Sequence, residues 1–266
     1  MGSRFRHIAL LLLPPILVGL VRRSLRPTPA SQPSAAPPGG GEGGAADRRY
    51  WGLNDLDRKI EKYLNFPAGF YVELGANDGR LSSNTLFYEK HKNWKGILIE
   101  PAPNLYLQCR ENRSPANHIV CAACVSFKYQ GEFVKMIYSD SMSVSLDVES
   151  DIGDGLAHAE LGRLFLKPHE DVFEFGAIAK TLNSILIDAQ APKLIDFLSL
   201  DVEGAELEVL RGVDHGAFKF RYMLIECRNI EKLAAYLAPL HYRLVEKFNE
   251  HDYMFELSSV GSAGAS

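Results

Sequence analysis

From Phe70 onward the chain alternates short apolar runs with stretches of helical periodicity, and this alternation constrains the fold more than any other feature. The runs are FYVELG before SNTLFYEKHK, GILIEP before NLYLQCREN, HIVCAACV, IDFLSLDV before GAELEVLRGV, YMLIEC before IEKLAAYLAPL, and then YRLVEKF and DYMFEL. Short apolar runs joined by amphipathic helices predict an α/β fold, a mostly parallel sheet covered on both faces. The last two runs are separated only by Asn249, Glu250 and His251, so they are expected to pair as an antiparallel hairpin at the sheet edge. Between the third and fourth strands lies an insertion, about residues 126 to 180, with the alternating segment EFVKMIYS and a stretch rich in Gly and Asp. Long loops on a rigid scaffold tend to carry binding, so substrate specificity is expected there.

The N-terminus has a different character. Arg4 and Arg6 precede an uncharged run over residues 8 to 21, and Arg22, Arg23 and Arg26 follow it, with no acidic residue before Glu42. The run is broken by Pro14 and Pro15 and is shorter than the ~20 residues of a spanning helix. Its length suits a signal-peptide core. Residues 1–26 are therefore read as a signal or single-pass anchor that associates the protein with membranes or the secretory pathway. An organelle transit peptide is the alternative that the Arg-rich, acid-free composition leaves open. Residues 27–46 are Pro, Gly, Ala and Ser with little to bury, which predicts a disordered linker, and the folded domain is expected over 47–266. Removing the five Arg and one Glu of residues 1 to 46 from the totals of 29 basic and 33 acidic leaves a charge of −8 on the rest. No Lys/Arg cluster offsets that charge, so nucleic acid is not expected as a partner.

The cysteines are Cys109, Cys121, Cys124 and Cys227. Cys121 and Cys124 form a C-x-x-C, but a zinc site would need a second close pair, and a thioredoxin-like site would open a helix where HIVCAACV reads as a strand. Buried reduced thiols are expected, and no metal set is legible.

The chemistry is concentrated at strand ends. The first strand runs into Glu73-Leu74-Gly75-Ala76-Asn77-Asp78-Gly79 before a helix. Glycines at 75 and 79 allow a sharp turn against which a ligand can lie on bare backbone. A dinucleotide fingerprint would read G-x-G-x-x-G, whereas this is G-x-x-x-G with Glu73 ahead of it and Asp78 inside it. Carboxylates disfavour a pyrophosphate and suit a ligand with a cationic amino-acid end, such as S-adenosylmethionine. Glu100 closes the second strand, about 20 residues beyond that turn, where an acid can accept both hydroxyls of a ribose. The small residues Ala122 and Ala123 leave room for a flat base, and at most one of Cys121 and Cys124 would line that slot. The fourth strand ends in Leu200-Asp201-Val202-Glu203-Gly204. In a doubly wound sheet it lies beside the first, so Asp201 and Glu203 reach the switch point where ligands bind. Asp201 is assigned the functional role and Glu203 mainly a structural one, on a helix starting at Gly204.

VELGANDG, the IEP after the second strand, TLNSIL and DFLSLDVEGAELEVLRG together resemble the FkbM family of S-adenosylmethionine-dependent methyltransferases, over roughly residues 70 to 250. The resemblance implies a class I, Rossmann-like methyltransferase fold with a seven-stranded sheet, and O-methylation of a hydroxyl on a sugar, glycolipid or polyketide. Glu73, Gly75, Asn77 and Gly79, with Ala76 and Asp78 between them, would then shape the methionine-end pocket. Glu100 would hold the ribose and Asp201 the edge of the active site. Members of the family often carry a lysine two residues before the aspartate, where this chain has Ser199.

Methyl transfer to a hydroxyl calls for a general base, and Asp201, His158 or His169 of the insertion are the candidates. Two other readings share the sheet. A nicotinamide oxidoreductase lacks its glycine fingerprint here, and a membrane-tethered binding protein without turnover would not need the intact turn and Glu100.

Overall fold

The structure is a computed structural model that describes residues 50 to 258. The expected anchor, the linker and the start of the domain at Asp47 lie outside the described residues. Among the described residues, no helix is long and apolar enough to cross a membrane.

After the short helices α1 (Leu56–Lys59) and α2 (Glu61–Leu64), the chain enters β1 (Phe70–Leu74), α3 (Leu86–Lys92), β2 (Lys95–Ile99), α4 (Pro103–Asn112) and β3 (His118–Val120). The end of the third run gives β4 (Ala123–Cys124), and the insertion contributes β5 (Phe133–Tyr138), β6 (Val144–Ser145), α5 (Gly155–Gly162) and β7 (Phe173–Lys180). Then follow α6 (Leu182–Asp188), β8 (Leu194–Leu200), α7 (Glu206–Leu210), β9 (Lys219–Glu226), α8 (Ile230–Leu237), β10 (Tyr242–Lys247) and β11 (Asp252–Leu257). Helix starts follow local chemistry: the side chains of Thr181 and Asn229 accept backbone N–H groups of Ser184 and Lys232 at the first turns of α6 and α8.

The main sheet has seven strands in the order β10-β11-β9-β8-β1-β2-β3. Period-two alternation sends Val72 and Leu74 of β1 to one face, against Leu182, Ile185 and Leu186 of α6 and Leu233 and Leu237 of α8. Tyr71 faces the other way, among Ile60, Leu64, Phe87 and Trp94. Both faces are thus covered, as near-continuous apolar strands require. The C-terminal pair is antiparallel as expected, but β11 inserts between β9 and β10, so β10 is the outer strand.

Two expectations need correction. The third run is not one strand: it breaks at Cys121-Ala122, and Ala123–Cys124 pairs with β7 in a second, four-stranded sheet, β4-β7-β5-β6, whose other strands come from the insertion. The helix after the fourth strand starts at Glu206 rather than Gly204, because Glu203 (φ 52°) and Gly204 (φ 95°) form a left-handed turn. The carboxylate serving that turn belongs to Glu206, which accepts from Val202 N–H and Gly204 N–H.

Candidate active site

Parallel register brings three strand ends to one edge. Leu74 is paired with Ile99 on one side and Leu200 on the other, so Gly75, Glu100 and Asp201 leave the sheet side by side. The strand order reverses between β1 and β8, which makes this edge the topological switch point. An open cleft with about 920 Å³ of free space lies there, lined by Glu73, Gly75, Asn77, Glu100 and Asp201. Ala76, Asp78 and Gly79 are not on its wall. Ala76 packs into the core, Asp78 accepts the N–H groups of Arg80 and Leu81, and Gly79 lies against Arg113 and Cys109.

Gly75 has φ 74°, and a Cβ there would stand 1.9 Å from the backbone carbonyl oxygen of Asp201. Only glycine lets the first loop pass this close to the end of β8. Glu73 does not project freely into the cleft. Its carboxylate accepts from Ser83 Oγ, Asn84 N–H, Thr85 Oγ1 and the Arg113 guanidinium. It holds the loop's shape rather than presenting a bare charge. Arg113 sits at the end of α4 and also binds Glu89, Tyr71 and the Gly79 carbonyl. Neither spacing nor type singled it out in the sequence.

Glu100 is 4% exposed and accepts Asn77 N–H at 2.8 Å and Ala102 N–H at 2.9 Å. Burial pushes its carboxyl up to about 7, with the Asp140 charge adding to the rise and the two N–H groups opposing it. Desolvation and the charges of Glu203, Asp252 and Glu206 hold Asp201 well above the usual carboxylate range.

The roof of the cleft comes from the insertion, through Met136, Asp140, Ser141 and Ser143. Asn77 Nδ2 donates to Asp140 Oδ1 at 2.9 Å, tying the first loop to that roof. These four residues were missed because nothing local, in the strand that carries Met136 or in the Ser- and Asp-bearing turn after it, says which sheet edge they cover. The histidines are elsewhere: His169 is exposed, and His158 Nε2 lies 2.9 Å from Glu203 Oε2, which also meets Arg228. Neither lines the cleft, so this geometry removes both as the base. Glu203 is accordingly a latch for the insertion.

An apolar slot of about 400 Å³ adjoins the cleft, walled by Ala122, Ala123, Cys124, Pro101 and Val202. The small side chains expected to leave room there form its wall, with Cys124 as the lining thiol. Burial pushes Cys124 up to about 12, which suppresses thiolate chemistry, and all four cysteines are free. The residues fit a nucleoside with an amino-acid tail: an apolar slot, the Glu100 carboxylate on the wall of the adjoining cleft, and bare backbone at Gly75, which lines both.

A doubly wound sheet with one antiparallel strand near its edge and a glycine turn at the switch point defines the class I methyltransferase fold. Within that class the chain belongs to the FkbM methyltransferase family, whose domain model matches residues 73–255, about two thirds of the chain. That family makes it an S-adenosylmethionine-dependent methyltransferase domain. No curated protein matches the chain in sequence. Among solved structures it is similar to the human methyltransferase 10 domain containing protein, at 11% identity and TM-score 0.40 over 76% of this chain and 81% of that one. It is also similar to an S-adenosylmethionine-dependent methyltransferase from Aquifex aeolicus, at 11% identity and TM-score 0.34 over 76% and 86%. A third likeness is to precorrin-6y C5,15-methyltransferase from Geobacter metallireducens, at 12% identity and TM-score 0.37 over 79% and 89%.

Proposed function

We propose that the protein O-methylates a hydroxyl of a sugar, glycolipid or polyketide-like small molecule, and that residues 8 to 21 hold it at a membrane or direct it to the secretory pathway. The observation that carries the reading is the meeting of Gly75, Glu100 and Asp201 at one sheet edge beside the apolar slot.

S-adenosylmethionine supplies, when bound, a methyl carbon made electrophilic by its sulfonium. The chain's own residues do the rest. Glu100 accepts the ribose hydroxyls, Ala122, Ala123 and Cys124 flank the base, and the Gly75 turn leaves room for the methionine end. Asp201 stands at the junction of loop and cleft, where it takes the proton of the acceptor hydroxyl as that oxygen bonds to carbon. Met136, Ser141 and Ser143 of the roof narrow the cleft and exclude water, which aligns nucleophile and electrophile.

Calorimetric titration of the full chain with S-adenosylmethionine tests this. Saturable micromolar binding, weakened in Glu100→Ala, is expected. Absence of binding to a folded chain overturns the reading and favours a tethered binding protein.

A further inference from the structure

Behind Asp201 the cleft continues into a smaller recess, walled by Asn84, Ser199, Asp201, Glu226 and Asp252, with about 290 Å³ of free space once its mouth to solvent is included. Three strands deliver its carboxylates. Asp201 follows β8, Glu226 ends β9, and Asp252 opens β11, whose antiparallel direction sets it opposite Glu226. Among the described residues, none of the three is in an ion pair. Lys59 acts on Asp252 only at a distance, and Asp252 is held by the Asn249 side-chain amide.

Glu226 points to what is missing. Its residue is 5% exposed, yet its Oε2 has no hydrogen-bond partner. A buried acceptor left unsatisfied costs about 1–3 kcal/mol, and interiors rarely tolerate one without a reason. The Asn84 carboxamide oxygen is also without a partner. The missing group is therefore a donor. A neutral hydroxyl would satisfy the lone pairs but leave the repulsion among neighbouring carboxylates that, on top of burial, pushes Asp201 and Glu226 up; a cation satisfies both. Among the described residues no group of three His, Cys, Asp or Glu side chains is arranged to hold a metal ion. An ammonium meets the requirement, donating up to three hydrogen bonds with its charge. Asn84, Ser199 and Asp201 wall both the recess and the main cleft, so an occupant of one continues into the other.

We propose that the recess binds the ammonium group of the methyl acceptor, which makes the substrate an amine-bearing alcohol of the amino-sugar or amino-alcohol class. This rests on the methyltransferase reading. Glu226 and Asp252 face the ammonium, and Asp201, between the two compartments, faces the hydroxyl a few bonds away.

The test uses the full chain in phosphate buffer and calorimetry, with S-adenosylhomocysteine titrated first. Failure of that ligand to bind the folded chain refutes the methyltransferase reading and this one with it. The loaded protein is then titrated with ethanolamine and with ethylene glycol, its neutral counterpart. Saturable millimolar binding of ethanolamine, at least tenfold tighter than ethylene glycol, is expected. Glu226→Gln should weaken it at least tenfold, and Ser199→Lys, which brings an internal ammonium to the recess wall, should abolish it. Equal binding of the two probes, or none of ethanolamine, overturns the proposal while leaving the methyltransferase reading intact. So does an equal loss of S-adenosylhomocysteine in Glu226→Gln, which would assign the recess to the cofactor's own amine. If Glu226→Gln does not fold by circular dichroism, Asp252→Asn takes its place, and the wild-type comparison decides regardless.

Discussion

The Arg113 guanidinium lies 3.1 Å from Glu73 and 2.8 Å from Glu89, with the arginine side chain fully buried. A charge so placed is tolerated only because both carboxylates and four further acceptors surround it. The arginine thus clamps the turn that forms one wall of the cleft to the helix after β2.

Removing it leaves two buried carboxylates without their cation. Arg113→Met is expected to cost roughly 3–5 kcal/mol, the usual loss on breaking a buried pair from one side. Urea denaturation measures it, and Arg113→Lys should recover only part, because one ammonium cannot replace the guanidinium fork.

Gly75→Ala acts on the neighbouring turn. The added Cβ meets the Asp201 carbonyl at 1.9 Å in a backbone conformation with φ 74°. The conformation alone costs ~1–3 kcal/mol and the collision adds to it. Lower urea stability together with loss of S-adenosylmethionine binding is the expected result, read by denaturation and calorimetry.

Burial pushes Glu100 up to about 7 from its ordinary value of 4.5, and Glu206 likewise to about 7. The folded chain therefore keeps protons that the unfolded chain releases between about 4.5 and 7. Their contribution to stability falls as pH rises through that window and is gone above 7. The melting temperature of the ligand-free chain should drop between pH 5 and 7.5, less steeply in Glu100→Gln. Affinity for S-adenosylmethionine should move the other way, rising with pH through about 7 as Glu100 ionises, which is the outcome its proposed contact with the ribose hydroxyls requires.

Asp201→Asn keeps the shape of the side chain and removes its basicity. Cofactor binding should survive, while transfer to the hydroxyl slows by about 10²–10⁴, the usual contribution of a general base. Release of S-adenosylhomocysteine follows the reaction. Full turnover with normal binding would remove Asp201 from that role.

His158→Ala releases the insertion from Glu203. Tryptic cleavage after Arg163, in the exposed segment following α5, should accelerate without loss of the main sheet's circular dichroism signal.

Local pattern made much of this protein legible. Period-two and helical alternation identify the main-sheet strands and their covering helices, because side-chain periodicity is a property of the backbone itself. Position in that sheet then identifies Gly75, Glu100 and Asp201, since a doubly wound order sends the ends of the first, second and fourth strands to one edge. The tertiary structure alone decided the rest. Glu73 was legible as a carboxylate, but its commitment to Arg113 joins residues 40 apart in sequence. The third run reads as one strand until Ala123–Cys124 finds a partner in β7 of the insertion. Glu226 and Asp252 become one recess only through the antiparallel register of β9 and β11. Which acids are buried, which are paired and which are left facing a cavity depends on atoms contributed by distant segments. Desolvation and charge pairing act through space, so the sequence determined where the carboxylates emerge, and the packed fold determined what each of them does.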